Sequence, residues 1–221
     1  MDHLKTRKHG KKKGCQPVNA IDKKMNYLAH AYFSHNEPAT MVGNLISDFI
    51  KGKKQYDYPD EIQKGIRLHR AIDSFTDAHP AVSEAKKVFR ADYRLYAGAF
   101  VDVSFDYFIA NDHHLFASED DLLRFSQTAY SSLRHHAMLI PEMARGYFER
   151  MQQQNWLYNY RTVWGIQKSF GGIVYRSAYL TDSAKAAVLF EENLSILQQH
   201  YHDFIPGLIE MVENERTVTF I

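Results

Sequence analysis

Residues Gly65–Asp77 read G-I-R-L-H-R-A-I-D-S-F-T-D and set His69, Asp73 and Asp77 four residues apart. On an α-helix that spacing stacks side chains on one face. Continued backwards, the face passes through Ile66 and Ile62, so it should look into a core. An imidazole and a carboxylate on a buried face are costly unless something compensates them, and a divalent cation does so best. Other acids interrupt apolar stripes in the same way. Asp48 follows Met41 and Leu45, and Asp102 and Asp106 fall between Ala99 and Ile109. His30 lies inside the apolar run Tyr27–Phe33. His30, Asp48, His69, Asp73, Asp77, Asp102 and Asp106 therefore form a candidate ligand set spread over four helices. Imidazole with carboxylate suits Mn²⁺, Fe²⁺ or Zn²⁺, and a single cysteine, Cys15, argues against a structural zinc site. The chemistry expected is metal-dependent hydrolysis.

Each residue alone has a plainer reading. Taken alone, His30 reads as a core histidine bonded to a carbonyl, Asp77 as a cap of the next helix or a terminator of its own, and Asp48 as half of a buried pair with a lysine or arginine such as Arg67 or Arg70. Asp60, Asp120 and Asp121 read as acids at helix N-termini. Inward acids on three separate helices, however, are an expensive way to build a core. Nothing in the chain resembles a nucleophile elbow, a P-loop or a dinucleotide-binding glycine turn.

The elements that must position this set are helical throughout. Helical periodicity predicts helices over about 26–35, 39–51, 60–77, 81–89, 93–111, 122–136 and 141–153. Further helical material covers 155–180, with an interruption at Gly171-Gly172. An amphipathic helix over 182–201 precedes a last one begun by Pro206. Pro59, Asp60 and Glu61 supply the φ preference and first-turn acids of a helix start, and Ser118-Glu-Asp-Asp is capping-box-like. No repeat or long linker divides the body, which reads as a single all-α domain, a helical bundle.

The 221 residues carry 45% hydrophobic content, ample for a packed core. Of the 27 basic and 26 acidic residues, eight and two lie in residues 1–24. This segment reads as a disordered basic leader or expression extension before Met25, with the domain spanning 25–221. No apolar run approaches the roughly 18 residues of a membrane span, and no secretory signal follows the basic start. The expected setting is soluble and cytoplasmic, without membrane or nucleic-acid partners.

Met25-Asn-Tyr-Leu-Ala-His30, Gly43-Asn-Leu-Ile-Ser-Asp48-Phe49, the Gly65–Asp77 block and Asp102-Val-Ser-Phe-Asp106-Tyr-Phe-Ile-Ala110 resemble the acyl carrier protein phosphodiesterases. The likeness is sharpest from Met25 to Ala110. It implies an all-helical, HD-domain-like fold, distantly related to the HD-type metal-dependent phosphohydrolases. The activity it implies is hydrolysis of the phosphodiester joining 4′-phosphopantetheine to a serine of holo-acyl carrier protein, usually with manganese, although Fe²⁺, Mg²⁺ or Zn²⁺ would also suit. It makes Asp48, His69, Asp73 and Asp102 first-choice metal ligands, with His30, Asp77 and Asp106 supplementary. Arg70 or Arg67 would neutralise phosphoryl charge, and Asp77 or His30 would orient the attacking water. Lys51, Lys53, Lys54 and Lys64 would form a basic rim for the acidic carrier protein. The family usually has Phe-Asp-His where this chain has Phe105-Asp106-Tyr107. Two other readings are a phosphohydrolase acting on nucleotides or other small phosphodiesters, and a non-catalytic helical binding protein whose acids pair with Arg67, Arg70 and Arg94.

Overall fold

A computed structural model describes residues 27–218; segment 1–24, with the expected leader and Cys15, lies outside the described residues. The described chain is all-α, a single bundle without strands. Its helices are α1 (Tyr27–Tyr32), α2 (Pro38–Ile46), α3 (Asp60–Ala78), α4 (Pro80–Tyr93), α5 (Ala97–Ala110), α6 (Glu119–His135), α7 (Glu142–Gln153), α8 (Trp156–Asn159), α9 (Val163–Arg176), α10 (Ala184–Glu192) and α11 (Leu194–Val218). Among the described residues, no helix is long and apolar enough to cross a membrane.

α3 starts where proline and acids favour it, with Pro59 at the N-cap and Asp60 and Glu61 in its first turn. It ends at His79, whose Nδ1 accepts the Ala81 N–H (3.2 Å) and so caps α4. The capping role read as an option for Asp77 thus falls to His79.

Glycine decides how α2 lies on α3. A Cβ on Gly43 would stand 2.1 Å from the Ile62 carbonyl oxygen, and one on Gly65 would stand 2.0 Å from that of Thr40. The two backbones touch, which only glycine permits. Asp48 lies five residues past Gly43 and His69 four past Gly65, so this crossing carries the two together.

α5 is buried almost all round, as expected of a central helix without a polar face. α1, α4, α9 and α11 pack around it. Phe100 stacks on Phe89 (5.5 Å between ring centres) and meets Phe170 edge-on (5.0 Å).

Several boundaries depart from the sequence reading, and α1 ends at Tyr32, short of the expected 35. α2 stops at Ile46, and Ser47–Phe49 tightens into a 3₁₀ turn that carries Asp48. The helix expected over 93–111 starts only at Ala97, because Arg94 takes a left-handed φ of 47°. Gly171-Gly172 lies inside α9 instead of interrupting it. Glycine costs a helix about 1 kcal/mol each, which burial of Phe170 and Ile173 on either side offsets. The single helix expected over 182–201 is broken at Asn193 into α10 and the start of α11, and Pro206 lies inside α11 and does not begin it. A proline mid-helix costs about 3 kcal/mol. Tyr201, Phe204, Ile205 and Leu208, all buried across that turn, outweigh it at about 1.5–3 kcal/mol each.

Candidate metal centre

The polar face of α3 climbs out of the core. Side-chain exposure rises from 5% at His69 to 18% at Asp73 and 55% at Asp77, which places Asp77 at a mouth, not in the floor. α1 brings His30 onto His69, the rings stacked with centroids 4.0 Å apart and 17° between planes. His69 Nε2 faces Asp48 Oδ1 at 3.2 Å and Asp73 Oδ2 at 3.4 Å. His30 Nε2 faces the other Asp73 oxygen, Oδ1, at 3.4 Å. One carboxylate thus spans two imidazoles, and a second carboxylate closes on one of them.

Burial sets the electrostatics. It pulls the His69 imidazole down, but Asp48 and Asp73, facing its Nε2, outweigh that and raise its pKa to about 9. Burial likewise lowers His30, and the neighbouring His69 charge lowers it further; Asp73 and Asp48 oppose both without prevailing. Burial pushes the Asp73 carboxyl up, yet the two imidazoles facing it hold it well below the usual carboxylate range. Without metal, a proton shared by the cluster is favoured on His69 over His30.

The donor set fits a divalent cation. One donor atom each from His30, His69 and Asp73 lies within 4.8 Å of the others. Among the described residues, the Nδ1 atoms of His30 and His69 are buried without a hydrogen-bond partner, and His30 Nε2 has only the long 3.4 Å approach of Asp73 Oδ1. An unsatisfied buried donor or acceptor costs about 1–3 kcal/mol, which a cation on the Nε2 of His30 would remove. Nitrogen with carboxylate oxygen is the chemistry of Mn²⁺, Fe²⁺ and Zn²⁺ sites.

The remaining candidates stand elsewhere. Asp106 is fully buried, and its two oxygens accept the backbone N–H groups of Leu28 (3.0 Å) and Ala29 (2.9 Å). It therefore caps the first turn of α1, the helix that carries His30. Burial pushes its carboxyl up, the two amides pull it back, and Asp102 adds to the rise. Asp102, buried one turn earlier on α5, lines a cleft of about 520 Å³ with Asp77, Lys86, Arg90 and Arg94. Lys86 Nζ stands 3.3 Å from Asp77 Oδ1. Arg70 is exposed and donates to Gln55 Oε1 (2.7 Å), away from the histidines. Asp48 pairs with His69 and with neither Arg67 nor Arg70. Lys51, Lys53 and Lys54 are exposed, while Lys64 is tied to Glu37 (2.9 Å). Tyr107 sets its ring on Phe190 of α10 (5.3 Å, edge-on).

Sequence reasoning passed over Lys86 and Arg90, and it read Arg94 only as an ion-pair partner. Their i, i+4, i+8 spacing was readable, and the pair on α4 shares one face of the helix. The strained backbone at Arg94 sits at the rim of this cleft.

The sequence model of the acyl carrier protein phosphodiesterase family matches residues 25–208. The acyl carrier protein phosphodiesterase of Yersinia pestis is 29% identical over 192 residues, covering 87% of this chain and 100% of the relative. That of Enterobacter sp. (strain 638) is 29% identical over 195 residues with the same coverage. That of Escherichia coli O6:H1 is 27% identical over 195 residues, covering 86% and 99%. No solved structure matches the chain.

Proposed function

The chain belongs to the acyl carrier protein phosphodiesterase family, and we propose that it is a metal-dependent phosphodiesterase that cleaves 4′-phosphopantetheine from holo-acyl carrier protein. Water adds to phosphorus, the bond from phosphorus to the serine oxygen breaks, and that oxygen takes up a proton. The products are apo-carrier protein and free 4′-phosphopantetheine. The observation that supports this reading most is the buried convergence of His30, His69 and Asp73, with Asp48 on the second face of His69.

His30, His69, Asp73 and Asp48 would hold the cation, Mn²⁺ in this reading. When bound, it supplies Lewis acidity and a water acidic enough to ionise near neutral pH. Asp73 fixes both imidazoles through its two oxygens, and Asp48 holds His69 from the other side. Asp77, half-exposed one helical turn above Asp73, stands where it can take a proton from attacking water. Arg90 and Arg94 in the adjoining cleft replace Arg70 as the groups that offset charge on the phosphoryl oxygens. Asp102 shares that cleft and is a supplementary ligand; Asp106 positions His30 by capping α1. The exposed Lys51, Lys53 and Lys54 would steer an acidic carrier protein.

Incubating metal-stripped protein with holo-acyl carrier protein, with and without Mn²⁺, and weighing the carrier by intact mass spectrometry tests the reading. Manganese-dependent loss of the phosphopantetheine mass is the expected result. An unchanged carrier, with metal shown to be bound, would overturn the substrate assignment.

A further inference from the structure

His30 sits in α1, a helix of only six residues. A helix that short does not hold itself in water, so its ring must be fixed from outside. At the first turn the fixing group is Asp106. At the last turn the backbone ladder skips a residue. The N–H of Phe33 goes to the Ala29 carbonyl (3.0 Å) and that of Ser34 to the Ala31 carbonyl (3.2 Å), stepping over His30. The His30 carbonyl accepts from two side chains instead, Ser34 Oγ and Asn44 Nδ2, each at 2.8 Å. Asn44 Nδ2 also donates to Ser34 Oγ (3.1 Å). Both partners accept from the amide, so its nitrogen has to face them. Its oxygen, Oδ1, is left buried without a hydrogen-bond partner among the described residues. Asn44 is fully buried, and a buried acceptor left unpaired is costly. A leucine of similar volume would avoid that cost, and Ser34 would still satisfy the carbonyl. What a leucine could not do is tie His30 to α2.

We propose that Asn44 is a positioning residue of the metal centre, a role that rests on the metal-dependent reading above: it holds His30 by the main-chain carbonyl and so sets that imidazole in register with His69. Asn44 follows Gly43, whose backbone touches α3 at Ile62, and a Cβ on Gly65 would stand 2.7 Å from the Asn44 backbone nitrogen. α2 and α3 are therefore locked together at this residue, with Asp48 four positions beyond Asn44 and His69 four beyond Gly65. The Asn44 amide couples α1 to that locked pair. The imidazoles it aligns are 4.0 Å apart and 17° from parallel, and the 3.4 Å approach of His30 Nε2 to Asp73 Oδ1 depends on the same register. A ligand atom has to be held within about 0.5 Å of its productive place. Asp106 grips the far end of α1, at Leu28 and Ala29, whereas Asn44 grips His30 itself. Asn44 acts through His30 and not on the cation.

Metal-stripped full-length protein and its variants are titrated with Mn²⁺, the free ion is counted by its EPR signal, and each metal-free protein is melted by circular dichroism. Asn44→Leu should bind Mn²⁺ at least about ten-fold more weakly, since partners that orient a metal ligand are worth 10–100-fold. Its metal-free melting temperature should stay within about 4 °C of wild type. Pulsed EPR of the bound ion, which senses imidazole nitrogen, should show weaker nitrogen modulation as His30 leaves the ion. A merely structural asparagine would move the melting temperature and leave the nitrogen signal alone, and that pattern would overturn the proposal. Asn44→Ala, which adds no bulk, should show the same weakening and keeps the test open where the leucine does not fold. His30→Ala separates this inference from the metal-centre reading. Wild-type affinity in a folded Asn44 variant, beside a loss in His30→Ala, would overturn the role of Asn44 and leave the metal centre standing. Wild-type affinity in His30→Ala would overturn both.

Discussion

The metal centre and the α7–α9 cleft spend charge in opposite ways. Around His30 and His69, charge is buried and paired at 3.2–3.4 Å, and the pairing overrides burial in the pKa values of His69 and Asp73 but not in that of His30. Around Trp164, Arg150, Lys168 and Arg176 line an open cleft between α7, α8 and α9, and the rings of Trp164 and Tyr175 face solvent. A buried, mutually compensated set is preorganised, and suits chemistry on a cation's bound water. An open, solvated set pays no such desolvation, and substitutions in it cost little stability. Substitutions in the two places should therefore fail differently.

The largest effect belongs to Asp73→Asn, which withdraws the carboxylate shared by both imidazoles. Phosphopantetheine release should fall by at least about a hundred-fold, since even outer-sphere partners of a metal site cost 10–100-fold. Full activity in that variant would remove the histidine cluster from the mechanism. Next comes Gly65→Ala. Its methyl would drive into the Thr40 carbonyl oxygen at 2.0 Å, and urea unfolding should show a loss of about 3 kcal/mol or more. Metal affinity should fall with it, because the same crossing sets Asp48 on His69.

The pH dependence of the metal-free protein sharpens the contrast. The His69 pKa, about 9 when folded against about 6.5 when unfolded, gives stability that is fully present below pH 6.5. That stability is lost as pH rises through 9, a change on the order of a few kcal/mol. Asp73, held low, acts with the opposite sign, losing its contribution only as pH falls below about 4. The melting temperature of the metal-free protein should therefore decline between pH 6.5 and 9, and that of His69→Gln should stay flatter. Metal affinity should rise over the same range as the competing proton leaves. A flat wild-type profile would deny the coupling. Smaller again is Asp106→Asn, which leaves one acceptor for two backbone amides. Stability should drop by about 1–3 kcal/mol while metal affinity changes less than ten-fold. A larger loss of metal than of stability would make Asp106 a ligand after all.

How far the site was legible follows from what a helical stripe encodes. His69, Asp73, Asp48 and His30 stood out because each breaks an apolar pattern, and the structure gathers all four. Asp106 breaks a pattern in the same way and yet faces two backbone amides; spacing cannot say which partner a buried carboxylate finds. Arg70 lies next to His69 in sequence, but one residue is a 100° rotation on a helix, enough to send it to Gln55. Lys86 and Arg90 sit on an exposed face, where charge is ordinary, and only the fold places them beside Asp77 and Asp102. Trp164 and Tyr175 fall in an aromatic-rich stretch where residue type does not tell exposed rings from buried ones: both are exposed, while Tyr160 and Phe170, beside and between them, are buried. The helices themselves were plain. Gly171-Gly172 and Pro206 misled because local propensity costs a few kcal/mol at most, and burial outweighs that.

The most direct test of the metal centre is to measure bound metal and activity in one sample. Metal-stripped protein is titrated with Mn²⁺, bound metal is quantified by plasma mass spectrometry, and phosphopantetheine release is followed in parallel. Activity rising in proportion to bound Mn²⁺, with His69→Asn and Asp73→Asn binding little and releasing none, is the expected result. Undiminished release by the metal-stripped protein, or tight Mn²⁺ binding that survives both substitutions, would contradict it.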